Sequence, residues 1–107
     1  MRLFQGANNG PGTATVMANQ ALLLERQGNF QAAAGKWQEA LTRFEGMANP
    51  VGIAISMLGR GRSLQQTKQN LDEARDLLQR ASRNFRVLHQ QGEAKEADEL
   101  LQTLKAI

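Results

Sequence analysis

The chain has no cysteine and no tyrosine, one histidine, one tryptophan and two prolines among its 107 residues. Without cysteine there can be no disulfide framework and no thiolate metal site. A lone histidine cannot assemble a zinc site. No apolar run approaches the roughly 20 residues that a membrane-spanning helix needs. The first residues hold one arginine, a short Leu3-Phe4 pair and a polar Asn-Gly-Pro stretch, with no apolar segment of the kind a secretory signal requires. The expectation is a soluble cytoplasmic protein with no cofactor and no metal.

What is present favours helix. Alanine and glutamine are abundant, and alanine and straight-chain residues lose least on entering a helix. The length suits one domain, or part of one, with a single modest core that buries roughly two-thirds of the unfolded surface. The net charge is +3, unevenly placed. Seven basic residues lie between Arg60 and Arg86 against Asp72, Glu73 and Asp76, while the segment from Glu93 onward carries four acids and two lysines. That is a weak basic middle and not a polybasic stripe.

An internal repeat is visible in the residues themselves. Gly12-Thr13-Ala14, Gly52-Ile53-Ala54 and Gly92-Glu93-Ala94 share a Gly-x-Ala pattern, each 40 residues after the last. Small or apolar residues follow at helical spacing: Ala14, Met17, Ala21 and Leu24, then Ala54, Met57, Gly61 and Leu64, then Ala94, Ala97, Leu101 and Leu104. A second stripe, Phe30, Ala33, Trp37, Ala40, Phe44 and Met47, recurs 41 residues on as Leu71, Ala74, Leu78, Ala81, Phe85 and Leu88. The spare residue is expected in the turn inside the second pair, since loops absorb it cheaply. The reading is five helices near 13–27, 30–47, 51–67, 71–89 and 93–106, punctuated by Gly28-Asn29, Asn49-Pro50 and Gln69-Asn70. Gly61, which matches Ala21, is expected at a close helix crossing.

These positions resemble the tetratricopeptide repeat in its longer form of about 40 residues. The small residue in mid first helix is Ala21 or Gly61, and the larger one after it is Leu24 or Leu64. The second helix is marked by Phe30, Ala33, Trp37 and Ala40, and again by Leu71, Ala74, Leu78 and Ala81. The turn glycine of the family is matched by Gly28 and departed from at Lys68, and its closing proline is missing. The resemblance covers nearly the whole chain. It implies an all-α, right-handed solenoid of helical hairpins, two pairs and a capping helix, whose first helices line a partner-binding groove. On this reading residues 1–12 are the partly flexible tail of an incomplete preceding repeat, 13–50 and 51–91 are repeats, and 92–107 form a C-terminal capping helix.

The two ends differ. Leu3-Phe4-Gln5-Gly6 resembles Arg43-Phe44-Glu45-Gly46, again 40 residues apart. Val16, Leu22 and Leu23 stand where the third helix has Ser56, Arg62 and Ser63 and the fifth has Glu96, Gln102 and Thr103. A terminal helix facing water should be polar. The fifth helix fits that description and the first does not. Either the chain is the C-terminal portion of a longer array, or a second copy covers Val16, Leu22 and Leu23. The expected assembly is a homo-oligomer, a two-fold dimer preferred.

The candidate sites have plain structural readings beside them. Trp37, Met17, Met47 and Met57 lie on the stripes and are expected in the core. His89 closes the fourth helix, where a cation suits the dipole, and no nucleophile accompanies it. The acids Asp72, Glu73, Asp76, Glu96, Asp98 and Glu99 are expected on solvated faces, paired as in Asp76 with Arg80. Gly10-Pro11-Gly12 lacks the lysine and preceding strand of a phosphate loop. The groove is expected to be lined by Asn19, Leu22, Arg26, Leu58, Arg62, Gln65 and Gln66, whose amide and guanidinium groups suit an extended peptide or an acidic terminus. Arg75, Arg80, Arg83 and Arg86 form a basic ridge on the fourth helix. The leading expectation is a non-enzymatic protein-interaction module, a scaffold, adaptor or assembly factor. The alternative is a nucleic-acid-associated helical protein that uses the ridge.

Overall fold

A computed structural model describes residues 10–105, and among them every regular element is a helix. The five are α1 (Gly10–Arg26), α2 (Phe30–Gly46), α3 (Pro50–Thr67), α4 (Leu71–Val87) and α5 (Gln91–Lys105). None is long and apolar enough to cross a membrane. The Leu3–Gly6 likeness to the end of the first repeat falls outside the described residues.

Four three-residue connections join the helices, and such short links make neighbours antiparallel. Three of them close alike. Asn29, Asn49 and Gln90 donate their backbone N–H to the carbonyls of Leu24, Phe44 and Phe85, and the residue before each takes a left-handed backbone. These are Gly28, Ala48 and His89, so His89 is a turn residue and not the last residue of α4. Lys68, the departure from the family glycine, adopts the left-handed conformation without one.

The spare residue of the second repeat lies in a helix. All the connections are equal, whereas α3 has 18 residues and α1, α2 and α4 have 17. One more helical residue keeps its backbone hydrogen bond, so lengthening α3 leaves no polar group unpaired. The Gly-x-Ala glycines lie inside the first turns. At Gly52 the reason is visible: the Asn49 side chain accepts the Gly52 N–H at 3.0 Å, and a Cβ there would lie 2.2 Å from the Phe44 ring.

Each helix packs on the next in chain order, and α3 also touches both α1 and α5. No Cα atoms of α1 and α5, or of α2 and α4, come within 8 Å, so the five do not close into a bundle. One core cluster joins α1 and α2 around Trp37 and Phe44, and a second joins α2 through α5 around Met57, Leu78 and Phe85. Half-buried Ile53 packs against both. Trp37 is 1 % exposed and Phe85 fully buried, each burial stabilising by roughly 1.5–3 kcal/mol.

The closest crossings are made by α3. A Cβ at Gly59 would stand 2.1 Å from the Trp37 indole, tighter than the expected crossing at Gly61, where Leu78 lies at 2.8 Å. Gly52 and Gly59 are seven residues apart on α3, and Phe44 and Trp37 are seven apart on α2. Two aromatic rings thus seat against two bare backbone sites of the antiparallel partner.

Candidate functional site

Two arginines of α3 reach in opposite directions. Arg60 donates to Glu73 of α4 at 2.7 Å and to the Ala34 carbonyl of α2 at 2.9 Å. It ties the two even-numbered helices through α3, although their backbones never meet. Arg62 reaches the odd-numbered helices. Its Nε and Nη2 donate to the two carboxylate oxygens of Glu25 in α1, at 2.6 and 2.9 Å. Its Nη1 donates to Glu96 of α5 at 2.7 Å. Glu25 also accepts the Trp37 indole N–H, so one carboxylate satisfies a core tryptophan and clamps an arginine.

Burial of Arg62 works against its charge. The hydrogen bonds and Coulomb attraction from Glu25, and then from Glu96, outweigh that cost and raise the guanidinium above its ordinary pKa. Sequence reasoning placed Arg62 in a groove as a free donor for a partner carboxylate. It is instead engaged by two internal carboxylates. Glu25 escaped the sequence reading. The available signal was a core tryptophan in need of an acceptor and an acid straight after Leu22-Leu23-Leu24.

Two of the expected groove residues are not on a surface. Leu58 is buried in the core cluster that includes Ala94, Ala97 and Leu104 of α5. Gln65 is buried and donates to the Leu100 carbonyl at 3.4 Å. For Gln65 the contact between α5 and α3 accounts for the burial. Asn19, Leu22, Arg26 and Gln66 are exposed as expected, and Ile55, which was overlooked, lies open one residue row from Arg62.

The arginine ridge is largely paired. Arg75 meets Asp72 at 2.9 Å, Arg80 meets Asp76 at 3.5 Å, and Arg86 binds Asp98 and the Ser82 hydroxyl. Asp98 accepts from Arg86 and then from Ser82, and these bonds hold its carboxyl below the usual aspartate pKa. Arg83 alone of the four has no acidic partner among the described residues. Three of the four thus sit beside an acid, in pairs that stay largely open to solvent.

Part of α1 is apolar and open to solvent. Val16 is 40 % exposed, Leu22 37 % and Leu23 54 %. Met17 is only half-buried, whereas Met57, forty residues on, is in the core. Beside Met17 lies a cleft of about 410 Å³ lined by Gln38, Glu39, Thr42 and Arg43. Elsewhere on the chain a cleft between α4 and α5 is lined by Arg75, Gln79, Leu101 and Lys105, with Asp98 already engaged.

Comparison with family models, with curated proteins and with solved structures finds no match to this chain.

Proposed function

We propose that this chain is a non-enzymatic interaction module, a tetratricopeptide-like right-handed solenoid that serves as a scaffold, adaptor or assembly factor in the cytoplasm. It holds a peptide or protein partner on the row formed by α1, α3 and α5, and it self-associates through α1 as a dimer. The observation that carries the reading is the layered order of the helices. Each packs on the next, and only α3 meets both α1 and α5. Such an arrangement presents the odd-numbered helices side by side as one continuous surface.

The residues open to a partner on that surface are Leu22, Arg26, Ile55 and Gln66. They offer apolar contact, one cation with no acidic partner among the described residues, and an amide, a set that suits an extended segment whose backbone needs donors and acceptors. Arg62 supports the surface from below by fixing α1 and α5 to α3.

The test is selection of a peptide library on the immobilised chain. Enriched peptides should lose about tenfold in affinity with Arg26→Glu or Gln66→Ala, close to the 1.4 kcal/mol of one polar contact. Arg83→Glu, on the far side, should leave binding unchanged. Enrichment of nothing, or binding that ignores both groove variants, would remove the proposal. The self-association arm is read by light scattering at roughly tens of micromolar, a range in which a modest apolar patch can hold a dimer. A Leu22→Glu/Leu23→Glu variant should have half the mass of the parent.

A further inference from the structure

The cleft between α4 and α5 has a volume of about 340 Å³ and polar walls. Arg75 and Gln79 line it from α4, and Asp98, Gln102 and Lys105 line it from α5 together with half-buried Leu101. Asp98 is the one acid in that lining, and it is committed elsewhere. Its Oδ1 accepts from the Ser82 hydroxyl at 2.7 Å and its Oδ2 accepts from Arg86. Arg75 pairs with Asp72, whose side chain stands fully in solvent, and Lys105 has no acidic partner among the described residues. The lining thus holds two cations that its own acid does not pair with.

The same positions one layer earlier show what such a cleft receives. Ala34 and Gln38 of α2 stand 41 residues before Arg75 and Gln79. Gly61, Arg62 and Gln65 of α3 stand 40 residues before Leu101, Gln102 and Lys105. That earlier groove is filled by polypeptide. Leu78 of α4 lies over Gly61, Arg62 holds the carboxylate of Glu96, and Gln65 donates to the Leu100 carbonyl at 3.4 Å. An apolar side chain, a carboxylate and a backbone carbonyl are therefore what this set of positions already meets within the fold.

In the α4–α5 cleft two of those positions carry charge. Arg75 stands in the place of Ala34 and Lys105 in that of Gln65, and both are donors with no acceptor capacity. Gln79 and Gln102 add amide donors and can also accept from a peptide N–H. Leu101, in the place of Gly61, supplies apolar contact. An anion with two oxygens fits this set, and the planar fork of Arg75 matches a carboxylate. The exposed pair of Arg75 with Asp72 is weak, so a ligand carboxylate displaces it at small cost. The charge of Asp98 in the same wall opposes a doubly charged phosphate.

We infer that the α4–α5 cleft binds an acidic polypeptide segment. Arg75 and Lys105 hold its carboxylate, the amides of Gln79 and Gln102 meet its backbone, and an apolar side chain rests on Leu101. None of these residues belongs to the set proposed above for the row of α1, α3 and α5, so the two sites stand or fall separately.

The probe is a synthetic peptide of glutamates around a single leucine, with a control copy in which glutamine replaces every glutamate. Titrated into the isotopically labelled full chain, the glutamate peptide should move the side-chain amide signals of Gln79 and Gln102 and leave those of Gln20 unchanged. The control peptide should not bind. Full-length Arg75→Gln/Lys105→Gln, confirmed helical by circular dichroism, should bind about tenfold more weakly, as loss of a charge-assisted contact requires. Arg83→Gln should bind like the parent. Signal changes that map away from the cleft, equal binding by the double variant, or no binding at millimolar peptide would each overturn the site. Inorganic phosphate or duplex DNA moving the same amides more strongly than the peptide would assign the cleft to phosphates and overturn the carboxylate reading.

Discussion

The carboxylate of Glu25, at the end of α1, grips the guanidinium of Arg62 in α3 through two hydrogen bonds of 2.6 and 2.9 Å. The two residues are 37 apart in sequence and belong to different repeats. Their side chains are 11 % and 23 % exposed, which places the pair where water screens it poorly. Glu96, on the far flank, completes the clamp but is 44 % exposed. The join between the first and second pairs is therefore partly ionic and poorly screened, while the ion pairs at the last helix, Arg62 with Glu96 and Arg86 with Asp98, are more open to water.

Removing the buried half of this clamp should cost far more than removing the open half. Glu25→Gln keeps an acceptor for the Trp37 indole but leaves Arg62 short of its main counter-charge, and should destabilise by about 2–3 kcal/mol. Glu96→Gln should cost less than about 1 kcal/mol, as exposed ion pairs do. Urea unfolding of both single variants and the double variant gives the answer. Equal costs would show that the clamp is not organised around Glu25.

Glycines on the two faces of the hairpin should respond with opposite signs. Gly59→Ala drives a methyl into the Trp37 ring and should destabilise by about 3 kcal/mol or more, the upper range of overpacking. Gly35→Ala, in mid α2, meets nothing within 4 Å and should stabilise by about 1 kcal/mol through helix propensity alone. Thermal unfolding of the two variants separates them. A stabilised Gly59→Ala would refute the close seating of the indole.

The turn after α2 holds an alanine at φ 53°. An L-residue with a Cβ is strained there by about 1–2 kcal/mol, and glycine is not. Ala48→Gly should therefore raise stability by about 0.5–1 kcal/mol, once the greater freedom of glycine in the unfolded chain is deducted. Chemical denaturation provides the measurement, and a loss of stability would contradict the left-handed turn.

Acid should loosen the α4–α5 join. The carboxyl of Asp98 is held below its ordinary value of 3.8 by Arg86 and Ser82. A depressed folded pKa means stability that is fully present above 3.8 and lost as pH falls through the lower folded value. Asp98→Asn should remove this share of the pH dependence below that value and leave the dependence at neutral pH unchanged. Midpoints of unfolding at pH ~6 and pH ~3 for parent and variant compare the two slopes. Parallel slopes would mean that Asp98 titrates alike in both states.

The helices were legible because the stripes Ala14–Leu24 and Phe30–Met47 repeat at a spacing that only helix turns can honour. Trp37 and Met57 were read as core for the same reason, and they are. Glu25 and Gly59 were not legible in that way. A glycine gives no hydrophobic signal, so nothing along the chain distinguishes the one beneath an indole from Gly35 in open space. A charged residue on an amphipathic helix looks solvated until a distant cation is known to lie beside it.

From the order of residues alone came the five helices, their antiparallel succession and the stripe each would bury, because propensity, periodicity and short turns act between near neighbours. Only the tertiary structure decided that Arg62 is clamped and not offered, that Leu58 and Gln65 are buried, and that Arg86 reaches Asp98 of α5. Those outcomes depend on groups 12 or more residues apart in sequence being brought together. Such meetings follow from how the helices stack, which no local pattern encodes.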